Sequence, residues 1–173
     1  MVLTNVEKSG IKSISRNNYS NMEEIKMDIL EVADAFLNLD SMSPKKLQKL
    51  CYYAQGWYAG LTGRKLFTNE LEAWIHGPVS PKLYEKYKMY GYENIPRKDG
   101  DTKDIELKGI VEQIYRIYGK LDGDELEQLT HKETPWLNAR NGIESWVPSN
   151  KEIKFADLVD FFSKKFREEQ INA

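Results

Sequence analysis

The sequence predicts a mainly α-helical protein: a compact single-domain bundle of about six to seven helices, with at most a small β-hairpin or short extended segment. Three observations favour this fold class. Apolar residues recur at helical spacing along most of the chain, Ser-Pro or Thr-Pro pairs mark three helix starts, and Gly-Pro closes the one stretch with a different period. With 173 residues, 40% of them apolar and 30% charged, the chain can bury one core.

Two regions of different character divide the chain. Residues 1–25 are rich in Ser, Asn and Lys and show no sustained period, so we expect a flexible N-terminal extension. Residues 26–170 carry the periodic segments and are expected to form the helical domain.

The first two helices are predicted from apolar stripes and capping residues. The first stripe is Ile29, Val32, Ala33 and Phe36. Ser43-Pro44 begins the second helix, because the hydroxyl can cap it and the fixed φ of proline suits its first position. Gly63 is expected to end it in the left-handed conformation. Gly56 and Gly60 lie off the apolar stripe, where another backbone could approach closely. The second stripe is Leu47, Leu50, Cys51, Ala54, Trp57, Tyr58 and Leu61, with Tyr52 and Tyr53 on its flanks.

The helical period is interrupted over residues 71–76, which alternate in polarity and are expected to form a short extended segment. His76-Gly77-Pro78 then forms a rigid corner, since proline restricts the residue before it. Ser80-Pro81 begins the next helix, and Trp74 and Tyr84 are expected to pack on the two sides of the corner.

The remaining helices lie in the second half of the chain. An apolar stripe from Leu107 to Leu121 predicts one, and the Asp122/Glu125 spacing predicts a capping box for a short helix to about His131. Thr134-Pro135 is expected to cap and begin a brief helix, and a final stripe runs from Phe155 to Phe166.

Composition and motifs disfavour several functions. The net charge of −2 argues against wholesale phosphate binding, so a nucleic-acid partner is not expected. The single cysteine excludes an internal disulfide and suits a reducing cytoplasm, and no segment resembles a membrane span or a secretory signal. Phosphate-binding glycine loops and the HExxH and GxSxG motifs are missing from the sequence. We therefore expect no cofactor, no metal, no catalytic residue and a cytoplasmic, non-enzymatic protein.

Two groups of residues keep alternatives open. His131 with Glu133 could act as an acid–base pair in a hydrolase, or His131 could be a cation that complements a helix C-terminus. A basic patch with aromatic neighbours is formed by Lys45, Lys46 and Lys49 beside Tyr52 and Tyr53. It could bind nucleic acid, as a regulator would. In the alternative, Lys45 and Lys46 are solvated and the two tyrosines pack inside the protein.

Three stretches resemble the Panacea domain family of SocA-like antitoxins and GepA-like phage-associated proteins. They are residues 46–57 (KLQKLCYYAQGW), residues 72–84 (EAWIHGPV followed by Pro81 and Leu83-Tyr84), and residues 129–140, where Glu133 to Trp136 read ETPW. The resemblance covers roughly residues 27–165, and the EAWIHGPV block is its most specific part. It implies an α-rich, non-enzymatic protein.

The resemblance also implies a function. Members of this family act as type II antitoxins that bind and silence a protein toxin, usually the product of an adjacent gene. One kind of member delivers its toxin to a host protease as an adaptor. Carried over motif by motif, the resemblance assigns the following family-motif and partner-binding candidates: Lys49, Tyr53, Gln55, Trp57, Trp74, His76, Gly77, Pro78, Tyr84, His131, Trp136 and Arg140.

Overall fold

The computed structural model describes residues 27–171, so the extension predicted for residues 1–25 lies outside the described part. Within that part the fold is mainly α, as predicted, with seven α-helices and one two-stranded antiparallel hairpin. The helices are α1 (Ile29–Leu39), α2 (Pro44–Thr62), α3 (Pro81–Tyr87, continued by a 3₁₀ turn over Lys88–Tyr90), α4 (Ile105–Tyr118), α5 (Gly123–Thr130), α6 (Thr134–Arg140) and α7 (Phe155–Ile171). The strands are β1 (Glu72–Trp74) and β2 (Gly77–Val79).

Helix α2 lies at the centre of the fold, which agrees with an apolar stripe that Tyr52 and Tyr53 widen on its flanks. Every residue from Leu47 to Ala59 is buried, and the helix packs against α1, α4, α5, α7 and the hairpin. Its ends follow the sequence signals, because the hydroxyl of Ser43 accepts from the N–H of Lys46 and Gly63 takes a left-handed φ of 69°.

The glycines of α2 provide the surface on which α7 packs. A β-carbon at Gly56 would lie 2.1 Å from the Phe162 ring, and one at Gly60 would lie 2.7 Å from the main-chain nitrogen of Ser163. The close backbone approach predicted from these two residues is confirmed at Gly60, whereas Gly56 leaves space for the Phe162 ring.

Two local expectations are corrected. Gly77-Pro78 is part of β2, so the predicted corner is the second strand of a hairpin whose turn is Ile75-His76. Thr134 is already helical, and Glu133 is the N-cap of α6 without any side-chain capping bond, because its carboxylate is turned into the core. The capping box of Asp122 and Glu125 is present as predicted.

Substitution of Gly60 by alanine should destabilise the fold by about 1–3 kcal/mol, because the α7 backbone cannot move aside as a side chain can. Gly109→Ala is the matched control. This helical glycine of α4 has open space around its Cα and should tolerate alanine with a gain of up to about 1 kcal/mol. Urea unfolding of both variants gives the two values, and equal effects would contradict the proposed α2–α7 contact.

Candidate functional site

The hairpin is held to the rest of the protein by hydrogen bonds to one pair of opposite residues. These bonds use the main-chain groups that point away from the other strand. Ala73 lies opposite Pro78. The N–H of Ala73 donates to the carbonyl of Lys151 (2.8 Å) and its carbonyl accepts from Arg140 (3.0 Å). The carbonyl of Pro78 accepts from Nζ of Lys49 (3.0 Å). Proline has no N–H to satisfy, so no outward main-chain polar group of this pair is left without a partner.

Side chains of α2 occupy the position that a third strand would take beside β2. The amide of Gln48 donates to the carbonyl of Ser80 (3.1 Å) and accepts from its N–H (2.8 Å), as a neighbouring strand would. Beyond β1, residues 151–153 pair with Leu71 and Ala73. Both edges of the hairpin are thus covered, and addition of a partner strand at either edge is blocked.

Gly77 leaves the space that the Lys49 side chain needs. Its φ is +92°, and a β-carbon there would lie 2.7 Å from Oγ1 of Thr130 and 2.8 Å from Cε of Lys49. Both the backbone conformation and the space therefore require glycine at this motif position.

The Lys49 amine is fully enclosed. Burial lowers the pKa of this ammonium to about 7, although the negative charge of Glu127 acts in the opposite direction. Burial of an amine whose charge is not fully compensated costs free energy. The hydrogen bond from Lys49 to Pro78 is therefore explained by its role in positioning the hairpin.

Helix α6 fixes the other side of the hairpin. The indole Nε1 of Trp136 donates to the carbonyl of Trp74 (2.9 Å). The guanidinium of Arg140 lies over the Trp136 ring, 4.7 Å from its centroid, and also donates to the carbonyls of Glu144 and Val147. Arg140 thereby joins the hairpin to the loop after α6.

A buried carboxylate links α6 to α2. The hydroxyls of Tyr52 and Tyr53 donate to the two oxygens of Glu133 at 2.9 and 3.0 Å. Burial raises the pKa of Glu133, while the nearby charge of Lys165 and the two hydroxyls oppose that change. Burial also raises the pKa of both tyrosines, so they remain protonated donors.

Two other predicted residues act as internal supports on α2. The amide of Gln55 binds the main chain of Leu66 and Phe67 and so fixes the loop after the helix. The indole of Trp57 donates to the hydroxyl of Tyr118, whose ring stacks on Tyr53 with centroids 4.0 Å apart.

His131 lies at a helix C-terminus, where one expectation placed it. It is the C-cap of α5 and stacks on the Trp136 ring with centroids 4.2 Å apart. Burial lowers the pKa of His131, which favours its neutral form. The carboxylate oxygens of Glu133, the other member of the alternative acid–base pair, bind the hydroxyls of Tyr52 and Tyr53 rather than the imidazole of His131.

One apolar groove opens beside the hairpin, between α2 and α3. Its volume is about 170 Å³. Trp74 and Tyr84 pack edge to face across it, with ring centroids 5.0 Å apart. Tyr92 also lines the groove although it is 96% exposed, and the exposed Met89 lies in sequence between the lining residues Tyr87 and Gly91. The lining is Pro44, Lys45, Gln48, Lys49, Trp74, His76, Val79, Leu83, Tyr84, Tyr87, Gly91 and Tyr92. Two larger clefts, of about 610 and 550 Å³, are lined mainly by polar and charged residues.

An ion-pair cluster borders the groove. The carboxylate of Glu127 binds Nζ of Lys45 (2.7 Å) and Nδ1 of His76 (3.0 Å), and Lys45 also binds Asp124 (2.7 Å). Burial acts to raise the pKa of Glu127, but Lys45 and His76 lower it overall.

The predicted partner-binding residues fall into three groups. Trp74, His76 and Tyr84 are at least partly exposed and line the groove, so they remain candidates for direct contact. His131 is partly buried under the hairpin. The others are buried and can act on a partner only by supporting the surface; they are Lys49, Tyr53, Gln55, Trp57, Gly77, Pro78, Trp136 and Arg140.

The sequence reasoning missed several groove residues. The tyrosines near Tyr84 could have indicated Tyr92, because aromatic residues concentrate there. No local sequence pattern could have predicted the contact between Lys45 and Glu127, because the two residues are 82 positions apart.

The fold and the groove define a small helical domain that presents an aromatic face beside a fixed hairpin. The profile described as "Antitoxin SocA-like, Panacea domain" matches residues 47–137, which include the hairpin, the groove lining except Pro44 and Lys45, and the tyrosines that bind Glu133. The chain therefore belongs to the SocA-like antitoxin family that carries the Panacea domain.

A named relative supports this assignment. The antitoxin SocA of Caulobacter vibrioides (strain NA1000 / CB15N) is 28% identical over 110 residues, which are 56% of this chain and 58% of that protein. The chain thus spans less than two thirds of that relative. No solved structure matches the chain significantly. Within residues 27–171 no helix is long and apolar enough to cross a membrane, and no group of three or more His, Cys, Asp or Glu side chains has an arrangement that could hold a metal ion.

Replacement of Lys49 by methionine should change how stability depends on pH. An unfolded lysine keeps its proton to about pH 10.4, whereas the folded amine loses it near pH 7. The unfolded state therefore binds more protons between these values, and wild-type stability gains up to about 1.4 kcal/mol per pH unit there. Urea unfolding from pH 6 to 9.5 should show the wild type gaining on the variant as pH rises.

The control is Lys132→Met, which removes an exposed lysine. Its stability difference from the wild type should stay constant over the same pH range. A constant difference for Lys49→Met as well would contradict the burial of an amine that titrates near neutrality.

Proposed function

We propose that this protein is a type II antitoxin that neutralises a cognate protein toxin by binding it directly, and that the groove between α2 and α3 is part of the binding surface. The toxin is proposed to be the product of an adjacent gene. The active domain is proposed to be residues 26–170, acting in the cytoplasm without catalysis. The family assignment supports the antitoxin role.

The observation that carries the direct-binding proposal is an aromatic surface that the fold leaves uncovered. Tyr84 is 43% exposed although its ring contacts Trp74, and Met89 and Tyr92 are exposed close by in sequence. Large amphipathic rings in and around a desolvated pocket are typical of residues that dominate the energy of protein interfaces.

Buried supports make this surface suitable for tight binding. The hairpin that carries Trp74 and His76 is fixed from α2 by Lys49 and from α6 by Trp136 and Arg140. A surface that is already ordered loses little conformational entropy when the partner binds, which favours affinity.

The antitoxin role is tested by expressing the neighbouring gene alone and together with this chain. We expect growth arrest from the neighbour alone, rescue on co-expression, and co-purification of the two proteins. A neighbour that is harmless, or one that stays toxic and does not co-purify, would contradict the proposal.

The binding surface is tested by Tyr84→Ala and Tyr92→Ala. Each should weaken the affinity for the toxin by about 10-fold or more, because truncation of an aromatic hot spot at an interface costs about 2 kcal/mol or more. Ile105→Ala is the matched control, since Ile105 is 88% exposed but lies on α4 outside the groove. Calorimetric titration gives the affinities, and thermal unfolding checks that the variants fold. Wild-type affinity in both tyrosine variants would exclude the groove from the interface.

A further inference from the structure

We propose that the hairpin is a proton-sensitive element, which loosens from α2 and α5 as the pH falls while the rest of the domain stays folded. Two buried nitrogen bases, Lys49 and His131, lie beneath it beside the carboxylate of Glu127, and both oxygens of that carboxylate are already bound by other residues. A conformational change of this kind goes beyond the proposed function and needs no toxin.

Both bases are attached to the hairpin from below. Nζ of Lys49 donates to the carbonyl of Pro78 in β2 (3.0 Å), and the imidazole of His131 is hydrogen-bonded to the main chain of Ile75 in the turn. Lys49 is 1% exposed, and the side chain of His131 is 27% exposed. A proton gained by either group therefore places a charge where little water reaches it, which costs free energy.

The carboxylate that faces these two bases is already engaged. One oxygen of Glu127 binds Nζ of Lys45 (2.7 Å), and the other binds Nδ1 of His76 (3.0 Å). Nε2 of His131 lies 4.0 Å from this second oxygen and has no hydrogen-bond partner in the described part of the chain. Protonation of His131 therefore makes two imidazoles compete for one carboxylate oxygen.

The other charged groups around the two bases do not compensate a new positive charge. Lys45 and the buried Arg140 are themselves cations that act on them. Acidification therefore accumulates positive charge beneath the hairpin, and this charge is hydrated when the hairpin moves away. The carboxylates of the surrounding elements are bound elsewhere: Asp124 to Lys45, Glu133 to Tyr52 and Tyr53, and Glu72 to the indole of Trp74.

The direction of the pH effect follows from the pKa of each base. Burial lowers the pKa of Lys49 to about 7, whereas a hydrated lysine has a pKa of about 10.4. Burial also lowers the pKa of His131, an effect that Lys49 and Arg140 reinforce and that Glu127 opposes. The open hairpin therefore binds more protons than the closed one from about pH 10 to 7 through Lys49, and below about pH 6.5 through His131. Falling pH favours opening in both ranges.

Hydrogen exchange of the full chain at pH 5.5, 7.0 and 8.5 measures how often the hairpin opens, after correction for the intrinsic pH dependence of amide exchange. The open fraction at the amides of residues 72–79 should rise about 10-fold from pH 8.5 to 7.0, and up to about 8-fold further at pH 5.5. At each pH it should exceed the open fraction of the α1 amides by about 10-fold or more, because the core does not unfold.

Two variants assign the two steps. Lys49→Met should abolish the rise between pH 8.5 and 7.0. His131→Phe keeps a ring to stack on Trp136 and should abolish the rise between pH 7.0 and 5.5. His76→Gln is the matched control for the second step, because it removes the other of the chain's two histidines, whose side chain is 66% exposed. The rise below pH 7.0 should remain in this control.

Three outcomes would overturn the proton-sensitive hairpin. The first is an open fraction that is equal at the three pH values. The second is equal opening of the hairpin and α1 amides, which would mean that the whole domain unfolds. The third is an acid step that is lost in His76→Gln and kept in His131→Phe, which would place the sensor at the exposed histidine. Protected α1 amides show that each variant is folded.

Opening of the hairpin also changes the groove, because Trp74 and His76 line it. Resting on the proposed function, a toxin bound at the groove should bind more weakly at pH 5.5 than at pH 7.0, and this difference should shrink in His131→Phe. Calorimetric titration at the two pH values gives the affinities. A hairpin that opens in acid without any change in toxin affinity would contradict the groove as the toxin-binding surface and would leave the proton-sensitive hairpin supported.

Discussion

The rest of the site depends on the attachment of the hairpin to two helices: the carbonyl of Pro78 accepts from the buried Lys49 amine of α2, and the carbonyl of Trp74 accepts from the Trp136 indole of α6. A two-stranded hairpin is marginally stable in water when it stands alone, and β1 and β2 have three residues each. Lys49 and Gln48 support one edge from α2, and Arg140 and Trp136 support the other from α6. The three motif blocks of the sequence are therefore one connected structure, in which two blocks hold the third.

This arrangement gives a physical reason for buried polar groups that stability alone would not favour. Lys49 and Glu133 both lose hydration in the core, and apolar residues of similar shape would avoid that cost. Each polar group nevertheless joins elements that are distant in sequence: Lys49 joins α2 to β2, and Glu133 joins α6 to the tyrosines of α2. Buried polar contacts that join distant elements in this way favour one geometry, which a binding surface needs.

The sequence predicted the helices well because their signals are local. The stripe of α2, its serine cap and its terminal Gly63 are all read within one segment, and Gly56 and Gly60 indicated a close helix contact before its partner was known. The hairpin was only half predicted. Gly77-Pro78 was interpreted as a corner, because proline has no N–H to donate and is therefore rare inside β-strands. Ala73, the residue opposite Pro78 in the hairpin, can be recognised only from the three-dimensional structure.

The candidate site was predicted from sequence motifs. Membership in a motif does not show whether a residue contacts the partner or supports the surface from inside the protein. Trp57 and Trp74 look alike in sequence, yet one is buried against Tyr118 and the other lines the groove. That difference depends on the packing of α3 and α4, which no local pattern encodes. Among the motif residues, only Trp74, His76 and Tyr84 combine partial exposure with a place in the groove.

Hydrogen exchange in Trp136→Phe tests the central claim most directly, because this substitution removes the bond to the Trp74 carbonyl and keeps an aromatic ring. The account predicts that the amides of the hairpin and of the loop bound by Arg140 exchange faster than in the wild type, while those of α1 keep their protection. Unchanged exchange in the hairpin, or an equal loss of protection in α1, would contradict the claim that α6 holds the hairpin in place.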